Sequence, residues 1–292
     1  MKSILKRENR PYFFVAPLVL FVVLFILVPI IGTVFTSMFR DVSFLQLKFI
    51  FLDNYINLVK DVGFWKSMRF TMLFILVAVP LEMIIGIAFA VVLDLNIPLR
   101  GVLRTCVLIP WVIPSAISAK IWQLIYNYSY GLANFILSTF NLSEPINWIG
   151  TDMGAFIAIV LADVWKTASF VALLILAGLQ SVPSDLHLQA KVDRANFAQT
   201  FFLITLPILK PVLLVTLLFR TIDSLRIFDV IYVLTNGGPG GATTSASLYA
   251  YKYFLGGDFG YGSAVSVLLF VLAFIMSIFY IKMSKFQDDA VR

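Results

Sequence analysis

The residues of this sequence that could do chemistry are a few charged side chains inside long apolar segments. Asp163 and Lys166 lie three residues apart, so they share one face if the segment is helical. Farther along the chain, charges of alternating sign recur at every third residue, at Arg220, Asp223, Arg226 and Asp229. A charge at bilayer depth is costly unless it is paired or hydrated, so these side chains must face protein or water.

Two interpretations of these charges stay open. In one, they are buried ion pairs that hold neighbouring helices together, and Glu82, in an earlier apolar segment, is a further charge of this kind. In the other, they line a polar path and form hydrogen bonds with the hydroxyl groups of a solute. The candidate path residues of this kind are Glu82, Asp163, Lys166, Asp223 and Arg226, although pairing or loop anchoring is the favoured interpretation for Arg226.

Aromatic and amide side chains cluster where the third long apolar segment ends. Trp122, Gln123, Tyr126 and Asn127 lie together there. Aromatic faces pack against the C–H side of a sugar ring, so these four residues are further candidates for a solute path. Trp and Tyr are also enriched where helices leave a membrane, and this second interpretation is the favoured one.

Residue counts exclude several kinds of catalytic and metal chemistry. The chain has one cysteine, Cys106, and one histidine, His187, which excludes an internal disulfide, a Cys-based metal cluster and a His-paired metal site. It also lacks the Gly-x-x-x-x-Gly-Lys-[Ser/Thr] loop that binds nucleotide phosphates. Glu82 and Asp163 have no second acid–base group at convincing spacing. We therefore expect no catalytic residue, metal or cofactor in this chain, and we do not expect an enzyme.

The elements that position these residues follow from a very apolar composition. Of the 292 residues, 60% are hydrophobic and 13% are charged, and the mean hydropathy is +0.94. Soluble domains are about 45–50% apolar and about 25% charged, so a soluble globular fold is excluded. Runs of roughly 20 apolar residues predict spanning helices. The sequence predicts an all-α integral membrane protein with six such helices, at residues 11–39, 70–93, 102–126, 154–179, 204–234 and 263–283.

The distribution of cations predicts the orientation. Residues 1–10 are basic, and the apolar run that follows is too long for a cleaved signal peptide, so it predicts a signal-anchor helix. With the N-terminus inside, twelve lysines and arginines fall on inner segments and six on outer loops. We therefore expect residues 1–10 and the tail 285–292 to be cytoplasmic, flanking a membrane domain over 11–284. The net charge of +6 then reports orientation rather than a nucleic-acid partner.

The inner segment 180–203 contains an amphipathic helix. Ser184 is a good N-cap, and Asp185 lies in the first turn, where a negative charge is favoured. Leu188 and Val192 recur at helical spacing and belong to one apolar stripe. On this pattern alone, a short helix lying on the membrane surface is as good an interpretation as a docking element.

The residues of this segment also resemble the inner loop of the permease subunits of ABC importers. The family pattern runs Glu-Ala-Ala-x-x-Asp-Gly-Ala and continues, after a short interval, with Ile-x-Leu-Pro. Ala190, Asp193, Ala195 and Pro207 match it. The resemblance implies that residues 184–200 form a short helical hairpin, which docks on a cytoplasmic ATPase subunit and transmits its closure to the spanning helices.

The match has departures at two places. Leu188 and Gln189 stand where the family has its acidic residue and the alanine after it, and Arg194 replaces the glycine at the bend. The first change removes a charged contact with the ATPase. An arginine at positive φ costs about 1 kcal/mol or more relative to glycine. The coupling residues implied by the resemblance are Leu188, Gln189, Ala190, Asp193, Arg194, Ala195, Phe197 and Pro207.

Three further segments carry the same resemblance. Residues 51–55 are similar to the Gly-Leu-x-Asn-Tyr of these permeases, with Phe51 in place of the glycine. Residues 130–134 match Tyr-Gly-x-x-Asn, and residues 234–239 match the Leu-Thr-x-Gly-Gly-Pro of the carbohydrate type. The last segment implies an outer gate or a contact with a binding protein, formed by Asn236, Gly237, Gly238 and Pro239.

Together, these segments resemble the first permease of maltose- and glycerol-phosphate-type importers. The resemblance implies a type I ABC importer permease in a prokaryotic cell membrane, which moves a sugar or oligosaccharide inward by alternating access. It implies a second permease subunit, two ATPase subunits that use ATP and Mg, an external solute-binding protein and contact with membrane lipids. A non-sugar solute such as glycerol phosphate is one alternative. Another is an ion-driven secondary transporter, although the sequence lacks the two related halves typical of that class.

Overall fold

The computed structural model describes residues 10–95 and 98–288, with side chains described for residues 14–95 and 98–283. The expected N-terminal segment 1–10 and tail 285–292 lie largely outside the described residues. Within them, five helices are long and apolar enough to cross a membrane, and a bent pair of helices makes a sixth candidate. The predicted helical architecture, with up to six helices of spanning length, is thereby confirmed.

Short helices and one small hairpin connect the long helices. Strands β1 (Phe39–Arg40) and β2 (Lys48–Phe49) pair antiparallel, with Phe39 opposite Phe49. The helices in chain order are α1 (Arg10–Val22), α2 (Val28–Thr36), α3 (Asp53–Lys60), α4 (Val62–Asp94), α5 (Arg100–Val112), α6 (Ser115–Ile125), α7 (Leu132–Thr139), α8 (Asp152–Leu179), α9 (Ser184–Val192), α10 (Phe197–Thr200), α11 (Leu206–Leu225), α12 (Asp229–Leu234), α13 (Ala246–Leu255) and α14 (Phe259–Asp288). Two π-helical turns, Val23–Leu27 and Phe201–Thr205, join α1 to α2 and α10 to α11.

The chain divides into two compact units, of which the first comprises residues 1–61 and 249–270. Within this unit, Asn54 in the first turn of α3 ties that helix to the start of the β-hairpin. Its side-chain amide donates to the carbonyl of Ser37 at 2.8 Å and to that of Phe39 at 2.9 Å. The asparagine of the segment 51–55 therefore satisfies two carbonyls where α2 gives way to β1.

Phe51 adopts a backbone conformation that glycine adopts more easily. Its φ is 53°, in the left-handed region. This is the position at which the resemblance expects glycine, and a residue with a Cβ there costs roughly 1–2 kcal/mol. Its ring centroid lies 6.1 Å from that of Phe49, a packing contact that glycine could not make.

The second unit comprises residues 62–248 and 271–292, and its core forms where α4 packs along α8. Gly86 permits the closest approach, since a Cβ there would lie 2.5 Å from the Cβ of Val171. The apolar cluster that fills this contact consists of Ala90, Leu93, Val171, Ile175, Leu176, Leu179, Val182 and Leu209. Side chains from α4, α8 and α11 therefore share one core.

The third predicted span, 102–126, is divided into two helices. Its two parts, α5 and α6, meet at an angle of 96°. Pro110 lies inside α5, whereas the break falls at Ile113, whose ψ of 129° is extended. A proline disfavours the helical conformation of the residue before it, so Pro114 accounts for the break.

The helix that corresponds to the fifth predicted span, 204–234, begins and ends at earlier residues than predicted. A helix runs without interruption over Phe197–Leu225, and it then breaks before α12. Hydropathy continues across this break because residues 227–234 are mostly apolar, so composition could not reveal it. The carbonyl of Ile227, freed by the break, accepts a hydrogen bond from Ser245 at 2.7 Å.

The second predicted span, 70–93, is longer in the structure, where α4 begins at Val62. The predicted span left out the first turns of this helix because they carry the charged residues Lys66 and Arg69. A helix does not end where its apolar run ends, since the backbone hydrogen bonds do not depend on side-chain polarity.

Candidate functional site

The centre of the candidate site is an ion pair buried between α4 and α11. Arg220 donates from Nε to Oε2 of Glu82 at 2.7 Å and from Nη2 to Oε1 at 3.2 Å. The side chain of Glu82 has no exposed surface, and that of Arg220 is 5% exposed. Paired hydrogen bonds of this kind fix both planar groups, so the ion pair cross-links two spanning helices.

Two more carboxylates approach the same guanidinium. Oδ2 of Asp163, on α8, lies 3.7 Å from Nη2 of Arg220, and Oδ2 of Asp223 lies 3.4 Å from Nη1. Asp223 also accepts a hydrogen bond from Nη2 of Arg226 at 2.6 Å. The pairing at every third residue suggested by the sequence is therefore present from Arg220 to Arg226. Carboxylates from three helices meet at one guanidinium.

Lys166 donates hydrogen bonds to the backbone at the break between α5 and α6. Its ammonium donates to the carbonyls of Trp111 at 3.1 Å and Ile113 at 2.5 Å. The last carbonyls of a helix have no partner within it, and a cation is favoured at that end. Among the side chains that the structure describes, no ion pair within 4.0 Å joins Lys166 to Asp163, although both lie on α8. Lys166 therefore stabilises the broken span directly.

A cavity of about 460 Å³ opens beside this cluster. Sites for small molecules are typically about 300–1,000 Å³ in volume. The cavity is lined from the α5–α6 break, from α8, and from the end of α11 with the segment that follows. Its charged lining residues are three cations and three carboxylates: Lys166, Arg220, Arg226, Asp163, Asp223 and Asp229. The lining is polar but close to neutral.

Glu82 and the aromatic cluster are not among the residues that line this cavity. The rings of Trp122 and Tyr126 pack with centroids 5.2 Å apart. The side-chain amide of Gln123 donates to the carbonyl of Val233 at 3.1 Å, and that of Asn127 accepts from the two backbone amides at positions 129 and 130. These contacts order the end of α6 rather than the cavity.

Sequence reasoning did not select Arg220, Trp111 or Thr167 as path residues, yet all three line the cavity. A signal for Arg220 was present, because Glu82 and Arg220 are opposite charges deep in two predicted spans and each needs a partner. Spacing along one helix shows pairs within that helix only. No comparable signal marks Trp111 or Thr167, whose positions depend on the break before α6.

The segment 184–200, called the hairpin here, consists of two short helices joined by a turn. α9 ends at Val192, and Arg194 turns the chain with a φ of 53°. Asn196 begins α10 with a reciprocal cap: its side chain accepts from the amide of Gln199 at 2.8 Å, and the Gln199 side chain accepts from its amide at 2.9 Å. Arg194 therefore adopts the left-handed conformation at the bend, where the resemblance expects glycine.

Apolar side chains of this hairpin are exposed. Leu188 is 57% exposed, Val192 82% and Phe197 69%, whereas Ala190 is buried. Leu188 and Val192 lie four residues apart on α9 and therefore share one face of that helix. The hairpin leads without a break into the helix that carries Arg220, since the helical backbone is continuous from Phe197 to Leu225.

The segment after α12 is a compact turn. Asn236 and Gly237 have φ of 49° and 84°, and the peptide bond between Gly238 and Pro239 is cis. Thr243 closes the turn, since its hydroxyl donates to the carbonyl of Gly238 at 2.6 Å. The four candidate gate residues thus belong to one ordered loop.

Comparison with known proteins identifies relatives over most of the chain. Residues 82–285 match a family model described as the binding-protein-dependent transport system inner membrane component. The chain is 52% identical to the trehalose/maltose transport system permease protein MalF of Thermococcus litoralis, over 95% of this chain and 94% of that protein. It is 38% identical to the sulfoquinovosyl glycerol transport system permease protein SmoG of Agrobacterium fabrum, over 94% and 89%.

Among solved structures, the fold is similar to a chain of a bacterial ABC transporter involved in the import of the acidic polysaccharide alginate. The TM-score is 0.83 at 24% identity, with 96% of each chain covered. The region matched by the family model contains Glu82, Asp163 and Arg220 as well as the hairpin 184–200. This chain belongs to the family of inner membrane components of binding-protein-dependent transport systems.

Proposed function

We propose that this chain is the permease subunit of a prokaryotic ABC importer that moves an uncharged sugar or oligosaccharide into the cell. The similarity to a trehalose/maltose permease supports the carbohydrate class. The observation that carries the choice of an uncharged rather than an anionic solute is that cations do not outnumber carboxylates around the cavity, even before Glu82 is counted against Arg220. Sugar hydroxyls both donate and accept hydrogen bonds, so they can use charged partners of either sign.

The cavity is proposed to be part of the solute path. Asp163 and Asp223 would accept hydrogen bonds from sugar hydroxyls, and Lys166 and Arg226 would donate to them. Glu82, which does not line the cavity, would hold Arg220 in place through their ion pair. Trp111 offers an aromatic surface at the same wall, which suits the C–H face of a sugar ring.

The continuous helix over Phe197–Leu225 suggests how the cavity would respond to the ATPase. Its first turn belongs to the hairpin 184–200, and its last turns carry Arg220 and Asp223. A rigid helix transmits a displacement of one end to the other. Docking and closure of an ATPase at the hairpin would therefore move Arg220 relative to the carboxylates on α4 and α8. This movement would open the cavity alternately to the two sides of the membrane.

The remaining components of the proposed machine follow from the family. A second permease subunit would complete the path, and two cytoplasmic ATPase subunits would bind and hydrolyse ATP with Mg. A solute-binding protein would deliver the sugar from outside, and residues 236–239 would contact it or form an outer gate. The distribution of lysines and arginines supports cytoplasmic termini and a cytoplasmic hairpin.

The proposed contact between hairpin and ATPase is apolar. Leu188 and Phe197 are both more than half exposed, and Leu188 stands in place of an acidic residue. If an apolar pocket on the ATPase receives Leu188, then Leu188→Glu should bury an unpaired carboxylate and lower the ratio of sugar transported to ATP hydrolysed. Leu188→Met keeps the apolar contact and should leave that ratio unchanged. An unchanged ratio in both variants would contradict the proposed contact.

The proposed function is tested by reconstituting the complete complex in proteoliposomes. We expect uptake of trehalose or maltose to require ATP and the binding protein, and to be at least tenfold faster than uptake of glycerol phosphate. Asp163→Asn should lower sugar uptake about tenfold through loss of a hydrogen bond to a charged acceptor. Glu144→Gln, which changes an exposed loop carboxylate, is the matched control.

Two outcomes would contradict the proposal. Uptake driven by an ion gradient without ATP would assign the chain to another class of transporter. A preference for glycerol phosphate would show that the charge balance of the cavity does not select uncharged solutes.

A further inference from the structure

A second cavity, of about 210 Å³, lies between the end of α4, the middle of α5 and the last turns of α8. Most of its lining is apolar and includes Leu93, Leu108 and Leu176. Arg104 and Gln180 are the polar side chains among the lining residues. A cation beside four leucines is unusual, because an unpaired charge is costly in apolar surroundings.

The guanidinium of Arg104 has unused hydrogen-bond donors in this cavity. Its Nε and Nη2 are buried and have no hydrogen-bond partner within the described part of the chain. Arg100, one turn earlier, differs: its Nε donates to the carbonyl of Leu93 at 2.7 Å and its Nη2 to Asp94 at 3.3 Å. Nε and Nη2 form the fork that binds phosphate or carboxylate oxygens in pairs. An anion from outside this chain would satisfy Arg104.

An apolar groove continues from this cavity along α5. Leu108 lines both the cavity at Arg104 and a third cavity of about 370 Å³. The third cavity is lined by Thr105, Leu108, Ile109 and Val112, whose spacing places them on one face of α5, and by Ile113 at the break that follows. Ile109 is 51% exposed and Val112 is 71% exposed, so this face is open to the surroundings of the helix.

We propose that Arg104 and the groove along α5 bind one anionic phospholipid of the surrounding membrane. Its phosphate accepts hydrogen bonds from Nε and Nη2 of Arg104, and one acyl chain lies along Leu108, Ile109 and Val112. The joined arrangement of buried donors and an apolar groove fits a molecule that carries an anion and a hydrocarbon chain together. Basic pockets between spanning helices bind anionic lipid head groups in this way.

The lipid site is tested on the complete permease–ATPase complex by native mass spectrometry with added phosphatidylglycerol or phosphatidylcholine. We expect Arg104→Gln to weaken phosphatidylglycerol binding about tenfold, because hydrogen bonds to a charged group are lost. Binding of phosphatidylcholine should change little. Lys282→Gln is the matched control, since it removes an exposed cation of another spanning helix.

A second variant tests the acyl groove with the cation intact. Leu108→Trp fills the shared wall of the two cavities, and it should weaken phosphatidylglycerol binding to a similar extent. Equal binding by wild type and Arg104→Gln would overturn the proposal, as would equal losses in Arg104→Gln and Lys282→Gln. Full binding by Leu108→Trp, or displacement of the lipid by inorganic phosphate, would assign Arg104 to a free anion instead. Loss of a partner subunit from the Arg104→Gln complex would assign it to a carboxylate of that subunit.

Discussion

At the residue scale, Arg220 organises the site because three carboxylates from three helices approach its guanidinium. Glu82 neutralises it most directly, through two hydrogen bonds in an environment without exposed surface. Asp163 and Asp223 lie farther away and face the cavity. One carboxylate therefore positions the arginine, and the other two are accessible to a solute.

Removing one partner of the buried pair should be more damaging than removing both. Arg220→Met should lower the free energy of unfolding by about 3–5 kcal/mol, because Glu82 is left buried without its partner. Glu82→Gln should cost less, because Asp163 and Asp223 still approach Arg220. The double variant Glu82→Leu/Arg220→Met should recover much of that loss. Thermal unfolding of the purified complex in detergent measures the difference.

Arg226 provides the matched control for this prediction. Its side chain is 76% exposed, so its ion pair with Asp223 contributes only about 0–1 kcal/mol. Arg226→Met should therefore unfold close to the wild-type temperature. If the double variant is as unstable as the sum of its single variants, the two charges do not act as a pair.

Backbone strain at Arg194 gives a second prediction at this scale. Arg194→Gly relieves an unfavourable left-handed conformation and should raise the free energy of unfolding by about 1 kcal/mol. Arg194→Ala removes the same charge but keeps the Cβ, so it should not stabilise the protein. Chemical unfolding of both variants separates the backbone effect from the charge. Equal stabilities of the glycine and alanine variants would show that the bend is not strained.

At the element scale, the break between α5 and α6 shapes one wall of the cavity. Trp111 and Ser115 line it from the two sides of the break. Lys166 donates hydrogen bonds to the carbonyls of Trp111 and Ile113. The 96° bend brings a helix end to the cavity that a straight helix would keep away from it. The cavity therefore depends on a discontinuous span.

Straightening this span should remove transport. Pro114→Ala restores an amide donor and relaxes the restraint on Ile113, so we expect α5 and α6 to align. Spin labels at positions 109 and 121 would then move toward the separation of about 18 Å expected for a straight helix. Pulsed electron paramagnetic resonance measures this distance, and ATP-driven sugar uptake should fall at least tenfold.

Pro110→Ala is the control for the broken span. Pro110 lies within α5, so its substitution should leave both the bend and uptake close to wild type. Unchanged distance and uptake in Pro114→Ala would show that packing, rather than the proline, maintains the break.

In the first unit, two tyrosines that donate to one carboxylate predict a loss of stability at alkaline pH. The hydroxyls of Tyr249 and Tyr261 both donate to Asp61. Burial, with the hydrogen bond to Asp61, raises the pKa of Tyr249 above its ordinary value. A raised pKa in the folded state adds stability that is present below the ordinary tyrosine pKa of about 10 and is lost as pH rises above it.

Hydrogen exchange of residues 249–261 at pH 9 and pH 11 would measure this loss. Protection should fall at the higher pH after correction for the intrinsic exchange rate, and Tyr249→Phe should flatten the dependence. Tyr130→Phe, which alters an exposed tyrosine, should retain the wild-type profile. A wild-type profile in Tyr249→Phe would contradict the role assigned to its hydroxyl.

The elements also show what sequence could and could not predict. Spanning helices depend on local hydropathy, so their existence was predictable, whereas α4 extends past its apolar run and α11 ends inside one. The pairs of Asp223 with Arg220 and Arg226 follow from spacing within one helix. The pair of Glu82 with Arg220 and the contact of Lys166 with α5 are formed between helices, and spacing does not encode them.

At the scale of the whole molecule, the proposed function joins two regions through one helix. The hairpin 184–200 presents apolar residues suited to a partner, and the cavity presents balanced charges suited to an uncharged, hydroxyl-rich solute. The helix over Phe197–Leu225 connects them without interruption. Family membership accounts for a transport role, and the cavity is the proposed place in this chain where a sugar would pass.

The most direct test of the path is protection of a cavity residue by the transported sugar. In a Cys106→Ser background, Ser115→Cys places a thiol in the cavity wall, and Leu124→Cys places one on an exposed part of α6. In the complete complex, trehalose or maltose should slow labelling by a water-soluble thiol reagent several-fold at position 115 and leave position 124 unchanged. Equal labelling at position 115 with and without a sugar that the complex transports would contradict the account.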